Sequence, residues 1–223
     1  MSTAVSYEIH GDVCVITMDD GKVNAFSFDM VKQVNDVLDA VEKTAKAIVL
    51  TGRKDKFCGG FDLKTMQAGG EGKERLLLEG FQLSYRLLNM PVPVILACNG
   101  HALAYGGILL LSCDYRIGQQ GSYKLGLNEI AIGVEMPTFG IDLAKSRLSV
   151  AYQIPAVANS VLYDPNEAKL AGFLDAVVDG TDVVETAIKA ATDLAQIDLN
   201  AHAKAKRDLR SDFLKKHKAV YGC

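Results

Sequence analysis

Apolar residues in the first fifty positions follow two different periods. VSYEIH (5–10) and VCVITM (13–18) are short runs on either side of Gly11-Asp12, which predicts two strands joined by a tight turn. From Ser27 the period lengthens. Met30, Val34, Val37, Leu38 and Val41 recur at helical spacing and mark one buried face. Ser27 suits the N-cap of that helix, and Asp29 places a negative charge at the positive end of its dipole. AIVLT (47–51) is an unbroken apolar run and predicts a short buried strand. A glycine-bearing loop, GRKDKFCGGFD, then leads to a helical stretch.

The order repeats. VILAC (94–98) predicts a strand, Asn99-Gly100 a turn, and the apolar run around Gly106-Gly107 a helix. DYRIG (114–118) predicts another strand, and SYKLGLNEIAIG (122–133) is strand-like with a loop around Asn128 and Glu129. Past Pro137 the chain turns mainly helical. PNEAKLAGFLDAVV (165–178) predicts a helix opened by Pro165 and then a short strand, and 181–196 and 200–219 predict two further helices. Strands alternating with helices give an α/β fold.

Composition narrows the picture. With 223 residues, 49% of them hydrophobic, the chain can bury a sizeable core as one domain. A formal charge of −3 argues against a general nucleic-acid binder. No apolar run approaches the ~20 residues that cross a bilayer, so no membrane partner is expected. The opening MSTAVSYEIHGD has no basic segment followed by an apolar one, so no signal peptide is expected. Five scattered cysteines without a CxxC pair predict a reduced, cytoplasmic protein. The last helix is basic, with Lys204, Lys206, Arg207, Arg210, Lys215, Lys216 and Lys218. It is either a solvated face or a surface that meets phosphates or an acidic neighbour.

Candidate chemistry centres on two strand-to-helix corners that each carry a glycine pair, FCGGFDL (57–63) and HALAYGGIL (101–109). The first N–H groups of a helix have no intrahelical acceptor, and glycine permits close approach to that backbone. Two such corners converging would aim two donors at one oxygen, as an oxyanion hole does. The alternative is tight helix–sheet packing at both. Neither corner fits GxGxxG or ends in GK[ST], and the chain has no GxSxG, no HExxH and no clustered His/Cys set, so no dinucleotide, nucleophile-elbow or metal site is implied.

The two corners in this order resemble the crotonase (enoyl-CoA hydratase/isomerase) superfamily. VNAF (23–26), FCGGFDLK (57–64), PVPVILACNGHALAYGG (91–107), CDYRIG (113–118), LGLNEIAIG (125–133) and EAKLAGFLDAVV (167–178) carry the likeness over nearly the whole chain. The resemblance implies a spiral of strand–strand–helix (ββα) units, with a core over 1–165 and a C-terminal helical trimerisation region over 166–223. It implies a homotrimer or hexamer, an acyl-CoA thioester as substrate, and no cofactor beyond the CoA carried by that substrate. By motif position the oxyanion donors are the backbone N–H groups of Phe61 and Tyr105. Tyrosine stands where the family usually has glycine, and Gly106 follows at once. Ala25, Gly60, Asp62, Ile108 and Glu135 are implied as substrate-binding positions, with Asp62 also capping the next helix. Lys54, Lys56 and Lys64 flank the first corner and suit the phosphates of CoA as point charges.

Family hydratases carry two catalytic glutamates. At the first of those positions this chain has Ile108, which transfers no proton, and at the second it has Glu129. One glutamate, together with SYKLGLNE, resembles the enoyl-CoA delta isomerases, which shift a 3-enoyl-CoA double bond to 2-enoyl-CoA through an enolate. The competing expectations are hydration or thioester hydrolysis using Glu135 as a second acid, and a non-catalytic acyl-CoA binder. His101 is expected to be a packed structural side chain, and Cys58 has no histidine base near it in sequence.

Overall fold

The structure is a computed structural model that describes residues 3–179 and 183–222. Strands β1 (Val5–His10) and β2 (Val13–Met18) form the expected hairpin, pairing Val5 with Met18 and His10 with Val13. Helix α1 (Phe28–Val41) is capped by the Ser27 hydroxyl, which accepts from the Met30 N–H, and it buries Met30, Val34, Val37, Leu38 and Val41. Then come β3 (Ala47–Gly52), β4 (Asp55–Cys58), α2 (Leu63–Ala68), α3 (Gly70–Asn89), β5 (Val94–Cys98), β6 (Gly100–Leu103), α4 (Tyr105–Ser112), β7 (Tyr115–Gln119) and β8 (Leu125–Gly126). The later elements are α5 (Thr138–Arg147), α6 (Val150–Gln153), α7 (Pro165–Ala171), β9 (Ala176–Val178), α8 (Val183–Leu194), α9 (Leu199–Leu209) and α10 (Ser211–Tyr221).

Two sheets result. The larger has the order β1-β2-β3-β5-β7-β9, parallel except for the hairpin. The smaller is β4-β6-β8, all parallel. Each turn of the chain gives one strand to the large sheet and the next to the small one, which is the expected α/β spiral. The unbroken apolar strands are explained by burial on both faces. Ile48, Leu50, Leu96 and Cys98 face the main core, while Val49, Ile95, Ala97 and Ile117 face Val183, Ala187 and Ala191 of α8. Alanine on that side of α8 lets the helix approach the sheet closely.

Two readings of the sequence need correction. Asn99-Gly100 is not a simple turn. Gly100 opens strand β6 opposite Asp55, and a Cβ there would overlap the Asp55 and Lys56 backbone. Asn99 makes the sharp change of sheet by donating its side-chain N–H to the Gly52 carbonyl. Segment 200–219 is two helices rather than one, because helical dihedrals lapse at Arg210 (φ −104°, ψ 9°). The part of the 181–196 prediction at 181 and 182 lies outside the described residues.

The basic C-terminal stretch is partly internal. Asp114 accepts from Lys206 at 2.6 Å and from Arg210 at 2.8 Å, and Lys216 meets Asp142 at 2.6 Å. Burial lowers the Lys206 pKa. Lys215 and Lys218 stay exposed. No helix among the described residues is long and apolar enough to cross a membrane.

Candidate active site

The first corner is built from β4 and the loop that follows it. The Phe26 N–H donates to the Gly60 carbonyl at 2.8 Å, and the Asp62 N–H donates to the Phe26 carbonyl at 3.0 Å. Alternate residues of such a bridge point their N–H groups opposite ways. The Phe61 N–H is therefore turned away from Phe26, and it donates to no acceptor among the described residues. Gly60 sits at φ +102°, a conformation that side chains rarely adopt. A Cβ there would fall 3.1 Å from the Ala104 Cβ and 3.8 Å from the Tyr105 nitrogen, so the two corners meet at Gly60.

The second corner turns through Ala104, a non-glycine residue held at φ +50° and ψ −116°. Its N–H donates to the Gly126 carbonyl at 3.0 Å. Tyr105 is the first residue of α4, and its N–H also finds no acceptor among the described residues. The glycine pair behind it serves packing. A Cβ on Gly106 would lie 2.6 Å from the Cys58 carbonyl oxygen, and one on Gly107 would lie 2.8 Å from that of Gly126. Glycine lets the start of α4 rest on the backbones of the small sheet.

Gly106→Ala tests this. Helix propensity alone would favour alanine by up to ~1 kcal/mol. The overlap with rigid backbone outweighs that gain, so we expect net destabilisation of about 1–3 kcal/mol and a Tm several degrees lower. A Tm equal to or above that of the native chain in a thermal melt would contradict the packing account.

Glu129 follows β8 and leads into a 3₁₀ turn over Ile130–Ile132, with its carbonyl accepting from the N–H groups of Ile132 and Val134. Its carboxylate is mostly buried, and Oε2 has no hydrogen-bond partner among the described residues. Burial pushes its pKa up to about 7. The carboxylate lines a cavity of about 500 Å³ together with Gly60, Phe61, Ala104, Phe81 and Pro137. Both corners thus reach the chamber that holds Glu129, whose carboxyl pKa burial raises. The described residues include no group of three or more His, Cys, Asp or Glu side chains arranged to hold a metal ion.

The remaining candidates separate. Ala25 and Asp62 line a neighbouring depression on the other side of Phe61. Asp62 caps α2, accepting from the Thr65 hydroxyl at 2.7 Å and the Thr65 N–H at 2.9 Å, and those bonds hold its pKa below the usual carboxylate range. Lys56 pairs in register with His101 in the small sheet and Lys64 is exposed on α2, and neither lines the cavity. Glu135 is exposed and also outside the lining, although Val134 and Pro137 contribute to it. Ile108 is buried in the main core, not at the cavity wall. His101 accepts from the Lys124 N–H at 3.1 Å and meets the Tyr123 ring edge-on, as a packed side chain does. Burial pushes the Cys58 thiol up to about 12, so it is no nucleophile near neutral pH.

Sequence reasoning missed Lys73, Leu77 and Phe81, which α3 contributes to the cavity. Nothing local distinguishes them from an ordinary amphipathic helix, since their role comes from where α3 crosses the first corner.

The enoyl-CoA hydratase/isomerase family matches residues 8–221 of this chain. The chain belongs to that family. A hydratase/isomerase family protein from Pseudomonas syringae superposes with a TM-score of 0.95 at 40% identity, covering 98% of this chain and 95% of that one. The apo structure of an enoyl-CoA isomerase from Mycobacterium tuberculosis gives 0.94 at 36% identity, covering 99% and 97%. A short-chain-enoyl-CoA hydratase of Clostridium acetobutylicum is 32% identical over 192 residues, which are 82% of this chain and 72% of the hydratase. Against the peroxisomal multifunctional protein MFP2 of Arabidopsis thaliana, the match spans only 27% of that longer protein. This member of the hydratase/isomerase family is accordingly a crotonase-type acyl-CoA enzyme, hydratase or isomerase in its chemistry.

Proposed function

We propose that this family member is an enoyl-CoA delta isomerase that moves a 3-enoyl-CoA double bond to the 2-position, with Glu129 as the only acid–base group. The observation that carries the reading is the solitary carboxylate. Glu129 is the sole Asp or Glu among the described residues lining the cavity. The position at which family hydratases carry their other glutamate is Ile108, buried in the core.

The chemistry follows from the two corners. A thioester carbonyl oxygen accepting from the Phe61 and Tyr105 N–H groups is stabilised as it becomes an enolate oxygen, and loss of one such donor in other enzymes costs ~2.7–4 kcal/mol. The ionised Glu129 takes a proton from carbon 2. In a 3-enoyl thioester the resulting dienolate spreads its charge to carbon 4. The protonated Glu129 returns the proton there, which leaves the double bond between carbons 2 and 3. Hydration in the family's two-glutamate manner would need a second acid to position water. Lys73 lines the cavity, whereas Lys56 and Lys64 do not, and would supply the cation that meets a CoA phosphate.

The pH dependence tests the base. Only ionised Glu129 removes the proton, so kcat/KM for isomerisation should fall tenfold per unit below a pKa of about 7. A profile flat down to about pH 5 would place the base elsewhere.

We further propose that segment 166–223 builds the trimer or hexamer that the family resemblance implies. Leu209, 88% exposed at the end of α9, is an apolar side chain that such an interface would cover. Light scattering at micromolar concentration should give three or six times the 24.0 kDa chain mass, and a monomeric mass would contradict the proposal.

A further inference from the structure

Tyrosine at position 105 needs explaining, because a donor residue contributes only its N–H and the family usually spends glycine there. Its side chain is fully buried and does not line the cavity. The phenol donates to the Gly80 carbonyl of α3 at 2.5 Å and accepts from the Ser84 hydroxyl at 3.1 Å. Burial raises its pKa far above the ordinary phenol value, so it remains a neutral donor. Its ring stacks on that of Phe61, with centroids 4.2 Å apart and planes 26° from parallel, and Phe26 meets it edge-on at 4.8 Å. The Phe61 ring in turn rests over Gly80, where a Cβ would fall 2.4 Å from the Phe61 Cε1 atom.

The two residues that present the N–H donors are therefore also the two whose rings are stacked together. That stack is seated on one turn of α3, through the bare backbone at Gly80 and the hydroxyl of Ser84. We propose that the Tyr105 side chain is a positioning group for the oxyanion hole. Its ring locks the Phe61 corner to the Tyr105 corner, and its hydroxyl fixes the pair to α3, so the spacing and aim of the two N–H groups are set before substrate arrives. Stacked aromatic pairs favour a defined offset geometry. Buried phenols strongly resist losing their acceptors. A misplacement of about 1 Å in an active site can cost about a hundredfold in rate. A glycine at 105 supplies the same N–H with none of this restraint. The inference rests on the oxyanion-hole reading above.

Tyr105→Phe removes the hydroxyl and keeps the stack, while Ser84→Ala weakens the anchor from the other side. Gly80→Ala forces the Phe61 ring to move. The experiment measures kcat and KM for 3-enoyl-CoA, the Kd of a saturated acyl-CoA, and the carbonyl stretch of that acyl-CoA labelled with ¹³C at the thioester. Wild-type protein should shift the bound carbonyl to lower frequency. Tyr105→Phe should shrink that shift and lower kcat about tenfold with KM and Kd within about twofold, and Gly80→Ala should do the same or more. A merely structural tyrosine would lower Tm and leave kcat and the carbonyl frequency unchanged, which would overturn the inference. A wild-type protein that binds acyl-CoA with no carbonyl shift would overturn the oxyanion-hole reading and this inference with it. A shift that is present in the wild type and intact in all three variants would overturn the inference alone.

Discussion

In the proposed isomerase reaction, Glu129→Gln should lower turnover by about 10²–10⁴-fold and leave acyl-CoA affinity within about twofold. Glutamine keeps the shape and much of the polarity of the side chain but cannot carry the proton from carbon 2 to carbon 4. Among the described residues Glu129 is also the one carboxylate lining the cavity, so no described neighbour can take over. The loss should appear almost wholly in kcat, because in the proposed reaction the thioester is held by the two N–H donors and by apolar contacts. Steady-state rates on 3-enoyl-CoA, together with the Kd of a saturated acyl-CoA, check it. Full turnover in the variant would show that the base lies elsewhere, and a large loss of binding would show that Glu129 shapes the cavity rather than the reaction.

The same substitution should stabilise the protein above neutrality. Burial raises the Glu129 pKa from 4.5 to about 7, so the folded state holds its proton more tightly than the unfolded chain does. For a raised carboxyl pKa, the favourable contribution is complete below the unfolded value and is lost as pH climbs through the folded one. Ionising Glu129 inside the fold therefore costs stability progressively between those two values. Near pH 8 the cost reaches about 3 kcal/mol, and near pH 5 it stays under about 1 kcal/mol. Glutamine never ionises and escapes the cost. Glu129→Gln should melt about 6–10 °C above the native chain near pH 8, with most of that margin gone near pH 5. Equal margins at both pH values would mean that the substitution acts through packing and that the carboxylate is not held at a raised pKa. A gain in stability on replacing the carboxylate is what a mostly buried carboxyl with an unpartnered Oε2 implies.

Much of this was legible from the chain. The helical period from Met30 to Val41 and the unbroken apolar strands state their own burial, and the Ser27 and Asp62 caps are local chemistry. The two glycine-bearing corners were visible too, but the purpose of the second was only half readable. Gly106 and Gly107 clear the carbonyls of Cys58 and Gly126, each on a different strand of the small sheet, and such clearance is a fact of three dimensions. Strands β4 and β6 escaped for a similar reason. They are four residues each, contain Asp55, Lys56, Gly100 and His101, and owe their form to pairing with one another rather than to any alternation. The charge pattern of the C-terminal helices misled because Lys206 and Arg210 look solvent-facing until Asp114, far back in the chain, is brought beneath them. Within the cavity, Glu129 could be singled out by motif. Its isolation from other carboxylates, and the placement of Glu135 outside, needed the fold.

Purified protein is supplied separately with 3-enoyl-CoA and 2-enoyl-CoA, and the products are separated and identified by mass. A single-base isomerase converts the 3-enoyl thioester to the 2-enoyl thioester of unchanged mass and forms no 3-hydroxyacyl-CoA from either. Efficient addition of water to 2-enoyl-CoA, with 3-enoyl-CoA left unchanged, would contradict the account at its foundation.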